Sequence, residues 1–156
     1  MTAEMTITRN GEKYTVILSE KLSELPEAAA VRAEVFMDEQ GFSAEFDDTD
    51  DISVHALLLK NGTSAAVGRA YEDESEHSLI HIGRIAVRAA YRGQGLGSVI
   101  VSALEQYAAE KGYTKAVLSA QVRVKGFYES LGYSAEGEEY MDEFCPHIAM
   151  SKSIAL

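Results

Sequence analysis

Cysteine and proline are nearly missing: 156 residues contain one cysteine, Cys145, and two prolines, Pro26 and Pro146. A lone thiol can neither close an intrachain disulfide nor share a zinc cage with other thiolates, which excludes both scaffolds and fits a reducing compartment. The prolines sit near opposite ends, and no repeat, low-complexity tract or Pro/Gly/Ser-rich linker lies between them. Nothing divides the chain, so one domain spanning residues 1–156 is expected, a size that can bury a core. No apolar run reaches the 18 residues a membrane helix needs. The polar first 13 residues also lack the apolar stretch of a secretory signal, so a cytoplasmic location is expected. Basic residues are scarce as well, 14 against 25 acidic ones, for a net charge of −11. Such a surface repels nucleic acid and anionic membranes and draws small cations, although the same charge also serves solubility.

What is present is 46% apolar residues, a globular proportion, arranged in alternating strand and helix signals. Residues 14–18 read as a first strand. A helix starts near Ser23 or Glu24 with Pro26 in its first turn, and it runs to Gln40 and stops at Gly41. Residues 45–51 hold five carboxylates, but the glycine and glutamate spacing of a calcium loop is missing, so a solvated acidic loop is expected and no metal. Residues 54–59 and 64–71 flank Asn61-Gly62 and predict a hairpin. A strand over 79–87, a helix from Leu96 to about Gly112, a strand over 115–120, a short helix over 127–131 and two closing strands complete a mixed α/β pattern.

The informative stretch is Ile85-Ala86-Val87, then four residues, then Arg92-Gly93-Gln94-Gly95-Leu96-Gly97-Ser98 at the mouth of a helix. A helix start offers unpaired amides and the positive end of a dipole, and residues without side chains let a pyrophosphate approach. Arg84, Arg88 and Arg92 add local positive charge to an acidic chain. The loop is not a dinucleotide fingerprint: it reads GxGxG, lies past its strand and lacks an acid some 20 residues on. Nor is it a nucleotide-triphosphate loop, because no Lys-Ser or Lys-Thr follows the glycines.

Arg92, Gly95 and Gly97 resemble the acetyl-CoA loop of the GNAT superfamily of N-acetyltransferases. Ser119-Ala120-Gln121 followed by Phe127-Tyr128 and Leu131-Gly132-Tyr133 resembles that family's second signature. With residues 35–40 and 146–150, the chain is similar to the small, single-domain ElaA-type branch over nearly its whole length. The resemblance implies a mixed, mostly antiparallel central sheet of about six or seven strands with helices on both faces. It implies acetyl-CoA as acetyl donor, bound in a gap of the sheet by Ile85, Ala86, Val87, Arg92, Gly93, Gln94, Gly95, Leu96, Gly97, Ser98 and Gln121, without a metal. Gln121 departs from the asparagine many members carry there, and Phe144-Cys145 replaces an expected glycine turn.

Tyr128 is the candidate acid that protonates the departing thiolate, although a tyrosine on an apolar helix also reads as packing. Glu39 and His147 are candidates for the acceptor side, with a solvated carboxylate and a structural imidazole as the plain alternatives. A Cys145–His147 nucleophile lacks a third orienting group. The expected activity is transfer of an acetyl group to a primary amine of a small molecule, and the alternative is a non-catalytic acyl-CoA-binding or partner-binding module. The sequence leaves the oligomeric state open, a homodimer included.

Overall fold

The computed structural model describes residues 2–156. Its centre is an eight-stranded sheet among the described residues, in the order β1-β2-β3-β4-β5-β6-β8-β7. The strands are β1 (Thr2–Arg9), β2 (Glu12–Ser19), β3 (Val54–Lys60), β4 (Thr63–Glu72), β5 (Leu79–Val87), β6 (Lys115–Gln121), β7 (Ser134–Asp142) and β8 (Cys145–Ser153). Every neighbouring pair is antiparallel except β5 with β6. The sheet is mixed and mostly antiparallel, as expected, but it has eight strands rather than six or seven.

The extra strand is β1, which the polar opening residues concealed. Met5 and Ile7 alternate with polar residues and pack on the core, while Asn10 (φ 50°) and Gly11 (φ 81°) turn the chain directly into β2. Both turn residues need the left-handed region, where asparagine and glycine are favoured.

Helix α1 (Pro26–Arg32) continues as a π-helical segment over Ala33–Glu39 and lies on one face of the sheet. Leu25, Ala28, Val31 and Val35 pack there with Leu57, Val67 and Ala86. Helix α2 (Leu96–Glu110) covers the other face, burying Ile100, Ala103 and Leu104 against Ala56, Leu58, Ala66 and Ala70. Alternation along β3 and β4 assigns successive residues to opposite cores. A short helix α3 (Lys125–Ser130) follows β6.

Gly68 sets how close α2 can come. A Cβ there would stand 2.7 Å from both Ile100 Cγ2 and Ile85 Cδ1 and 2.9 Å from Leu104 Cδ1. Gly68→Ala is therefore expected to destabilise the fold by about 1–3 kcal/mol through overpacking. Urea unfolding measures this, and unchanged stability would show that the core relaxes around the methyl.

The acidic stretch is a solvated loop only in part: Asp47, Asp48 and Asp51 are exposed, but two of its carboxylates are not. Glu45 and Asp50 are buried because arginines from three elements converge on them. Arg32 donates to Glu45 (2.7 Å) and Asp50 (2.7 Å), Arg69 to Asp47 and Asp50 (2.8 Å each), and Arg84 to the Glu45 carbonyl (3.1 Å). Burial pushes the Asp50 carboxyl up, but Arg32 and Arg69 outweigh it and hold it at about 2, against an ordinary 3.8. A depressed folded-state value means that the ionised carboxylate stabilises the fold above about pH 4 and that this contribution, about 2 kcal/mol, is lost as pH falls through about 2. Glu45 moves the opposite way, because burial exceeds the effect of its arginines. Acidification just above its ordinary range thus favours the fold, so of these two buried carboxyls only Asp50 contributes to the acid loss. Urea midpoints are expected to fall between about pH 4 and pH 2, and a flat profile there would remove Asp50 from the stability account.

Candidate active site

β5 and β6 pair in parallel at Leu79, Ile80 and His81 with Lys115, Ala116 and Val117 among the described residues. Beyond His81 and Val117 they diverge, and β6 keeps its other neighbour β8 as far as Gln121 opposite His147. The parting is wide enough for a cavity of about 530 Å³. A β-bulge at Gly83–Ile85 bends β5 at this point, with Arg84 at φ 53°. Such bulges re-aim the strand and leave backbone groups out of the ladder.

At one end of the cavity stands the start of α2. Gly93 (φ 81°) and Gly95 (φ 77°) turn the chain, and no side chain caps the helix. The amide of Val99 is the first to bond back, to the Gly95 carbonyl. The amides of Leu96, Gly97 and Ser98 belong to the turn that has no intrahelical partner, and the dipole makes this end favourable for an anion. Gly97 packs against α3: a Cβ there would lie 3.2 Å from Phe127 Cζ.

Ile85, Ala86, Val87, Arg92, Gly93, Gly95, Leu96, Gly97 and Gln121 all line this cavity, and so do Tyr128, Glu39 and His147. Gln94 and Ser98 line a neighbouring cavity of about 290 Å³ instead, with Gly95 common to both. Gln94 is bonded by Lys60 there. Ser98 turns away because consecutive residues at the start of a helix point to different sides, whereas Gln94 lies before the helix, between the left-handed Gly93 and Gly95.

Three arginines flagged by sequence separate in space. Arg92 lines the cavity and is held by the Val87 carbonyl (3.0 Å) and Glu39 (2.8 Å). Arg84 lines it while tied to Glu45 and Asp47. Arg88 faces elsewhere, toward Glu34 and the Ser64 carbonyl. Arg123 joins the wall and donates to Gln121 Oε1 (2.8 Å), while Gln121 Nε2 donates to Gln40 Oε1 (2.9 Å). Sequence reasoning passed over Arg123 and Gln40, and only their spacing from Gln121 and Glu39 could have pointed to them.

Glu39 is the single carboxylate among the described lining residues. Its hydrogen bond from Arg92 holds it below the ordinary glutamate range. Tyr128 is buried between Phe127 and Tyr133, ring centroids 4.9 and 6.0 Å away, and burial pushes its phenol up to about 12. His147 is buried at the same cavity, its ring against those of Tyr140 and Phe42. Cys145 is half-buried and its Sγ turns to the Pro146 carbonyl, not to His147. No cluster that could hold a metal occurs among the described residues, and none of their helices is long and apolar enough to cross a membrane.

The family model for the acetyltransferase (GNAT) domain matches residues 21–154. The chain is 36% identical over 138 residues to the uncharacterized protein YyaT of Bacillus subtilis, a match covering 85% of this chain and 91% of YyaT. It superposes on the crystal structure of Escherichia coli ElaA with a TM-score of 0.78 and 26% identity, covering 95% of this chain and 99% of the other. An acyl-CoA N-acyltransferase structure from Pseudomonas aeruginosa gives a TM-score of 0.77 and 28% identity, covering 88% and 97%.

Proposed function

The chain belongs to the acetyltransferase (GNAT) domain family, and from that premise we propose that it carries the acetyl group of acetyl-CoA to a primary amine of a small molecule by direct attack. One observation carries the reading: a single cavity is lined together by the glycines at the start of α2, by the parted ends of β5 and β6, and by Tyr128. Its two ends suit the two ends of the donor. The glycines and amides at residues 93–97 accept a pyrophosphate without steric conflict, and the exposed edge of β5 offers peptide groups to the amide-bearing arm. An amine then attacks the thioester carbonyl, an amide of the bulged β5 stabilises the oxyanion, and Tyr128 protonates the leaving thiolate.

The acidic charge of the whole chain does not extend into the cavity, which has Arg84, Arg92 and Arg123 against Glu39. An acceptor panel must therefore run from polyamines to acidic amino acids. Free thiol released from acetyl-CoA is the readout, with the acetylated product identified by mass. Release that depends on one amine class supports the proposal. Tight binding of acetyl-CoA without acceptor-dependent release across the panel would leave a non-catalytic acyl-CoA-binding module.

A further inference from the structure

Direct attack requires a group that takes a proton from the amine, and the charged groups at the cavity narrow the choice. Glu39 is engaged by Arg92 through two contacts, 2.6 and 2.8 Å. Arg84, Arg92 and Arg123 are permanent cations, Tyr91 bears a phenol, an acid rather than a base, and Tyr128 keeps its proton at neutral pH. His147 is left. Its Nδ1 lies 2.9 Å from the Cys145 carbonyl oxygen, an atom that can only accept, so Nδ1 carries the hydrogen and donates it. The neutral ring therefore presents its lone pair on Nε2. Packing fixes its direction: Tyr140 of β7 and Phe42 lie against the ring, and Gln121 of β6 is its register partner across the sheet.

We propose that His147 is the general base of the transfer, with Nε2 receiving the amine proton directly or through one water; the proposal rests on the transferase reading above. The amine nitrogen forms a bond to the thioester carbonyl carbon, one N–H proton passes to Nε2, the C–S bond breaks, and the Tyr128 phenol delivers its proton to the departing sulfur. The products are the N-acetylated amine and coenzyme A thiol. Exchange with solvent then returns the proton from imidazolium and restores the phenol. The sequence places Tyr128 and His147 19 residues apart on different elements, α3 and β8, and the fold brings both to one cavity.

Tyr140 on β7 and Cys145 on β8 touch the ring, and the other titrating or charged groups lining its cavity are Arg123 after β6, Glu39 on the π-helical segment, Arg84 on β5, Tyr91 and Arg92 before α2, and Tyr128 on α3. The test must therefore isolate the imidazole. His147→Asn keeps a donor near Nδ1 for the Cys145 carbonyl and removes the basic nitrogen. With the best amine and saturating acetyl-CoA, the variant is expected to turn over on the order of 10²-fold more slowly at neutral pH, with unchanged donor affinity. The amine's own titration is common to both proteins, so the ratio of wild-type to variant rate reports the ring. That ratio should climb with pH and level off once the ring is neutral, and added imidazole should restore part of the variant's rate. A ratio that is the same at every pH, with no rescue, would overturn the assignment and leave His147 as a positioning residue. Wild-type protein without acceptor-dependent release would instead overturn the transferase reading, a different and separately visible result.

Discussion

Gly97→Asp is expected to remove measurable acetyl-CoA binding while the chain stays folded. The substitution puts a carboxylate in the first turn of α2, whose free amides and dipole are the structural basis for placing the pyrophosphate there. An anion set beside an anion costs several kcal/mol, and about 3 kcal/mol is already a loss of ~10²-fold in affinity. Bulk acts in the same direction, because the new Cβ meets Phe127 Cζ at 3.2 Å. Gly97→Ala separates the two causes. If charge dominates, alanine retains most of the affinity and aspartate does not, whereas equal losses point to Phe127. Titration calorimetry gives the affinities, and circular dichroism confirms that each variant is folded. Wild-type affinity in folded Gly97→Asp would move the phosphate site away from α2.

Tyr128→Phe is expected to cut turnover by on the order of 10²-fold and to leave donor affinity almost unchanged. The ring is a packing element as well as a candidate acid, in edge-on contact with Phe127 and Tyr133, and phenylalanine preserves both contacts. Only the hydroxyl is lost. Because burial lifts the phenol to about 12, the proton is in place throughout the neutral range, so the rate should not decline with rising pH through deprotonation of Tyr128 below that value. Steady-state rates with saturating acetyl-CoA decide the matter. Full turnover in the variant would make Tyr128 a core aromatic and nothing more.

The parts of this molecule legible in its sequence are those specified by local chemistry. Asn61-Gly62 set a hairpin, Pro26 opened a helix, and the glycines at 93, 95 and 97 marked a helix start that no side chain caps. Where nonlocal pairing decided the outcome, sequence patterns misled. The Met5 and Ile7 alternation is too short to stand out beside charged neighbours, yet β2 recruits it as an edge strand. Residues 45–51 look hydrophilic because their counter-charges, Arg32, Arg69 and Arg84, lie on three distant elements that only the fold gathers. The same holds for His147, whose tautomer depends on a carbonyl two residues away and whose cavity depends on the parting of β5 from β6. Gln94 and Ser98 show the limit of motif reading in another way, since membership in a loop does not say which side of a helix start a side chain faces.

The most direct measurement is a crystal structure of the protein with coenzyme A. The pyrophosphate should lie on the amides of residues 93–97, the pantetheine arm between β5 and β6, and the sulfur within hydrogen-bond reach of the Tyr128 hydroxyl, with Nε2 of His147 facing the acceptor side of the same cavity. A pyrophosphate bound away from α2, or a thiol remote from Tyr128, would contradict the assignment of this cavity as the site of transfer.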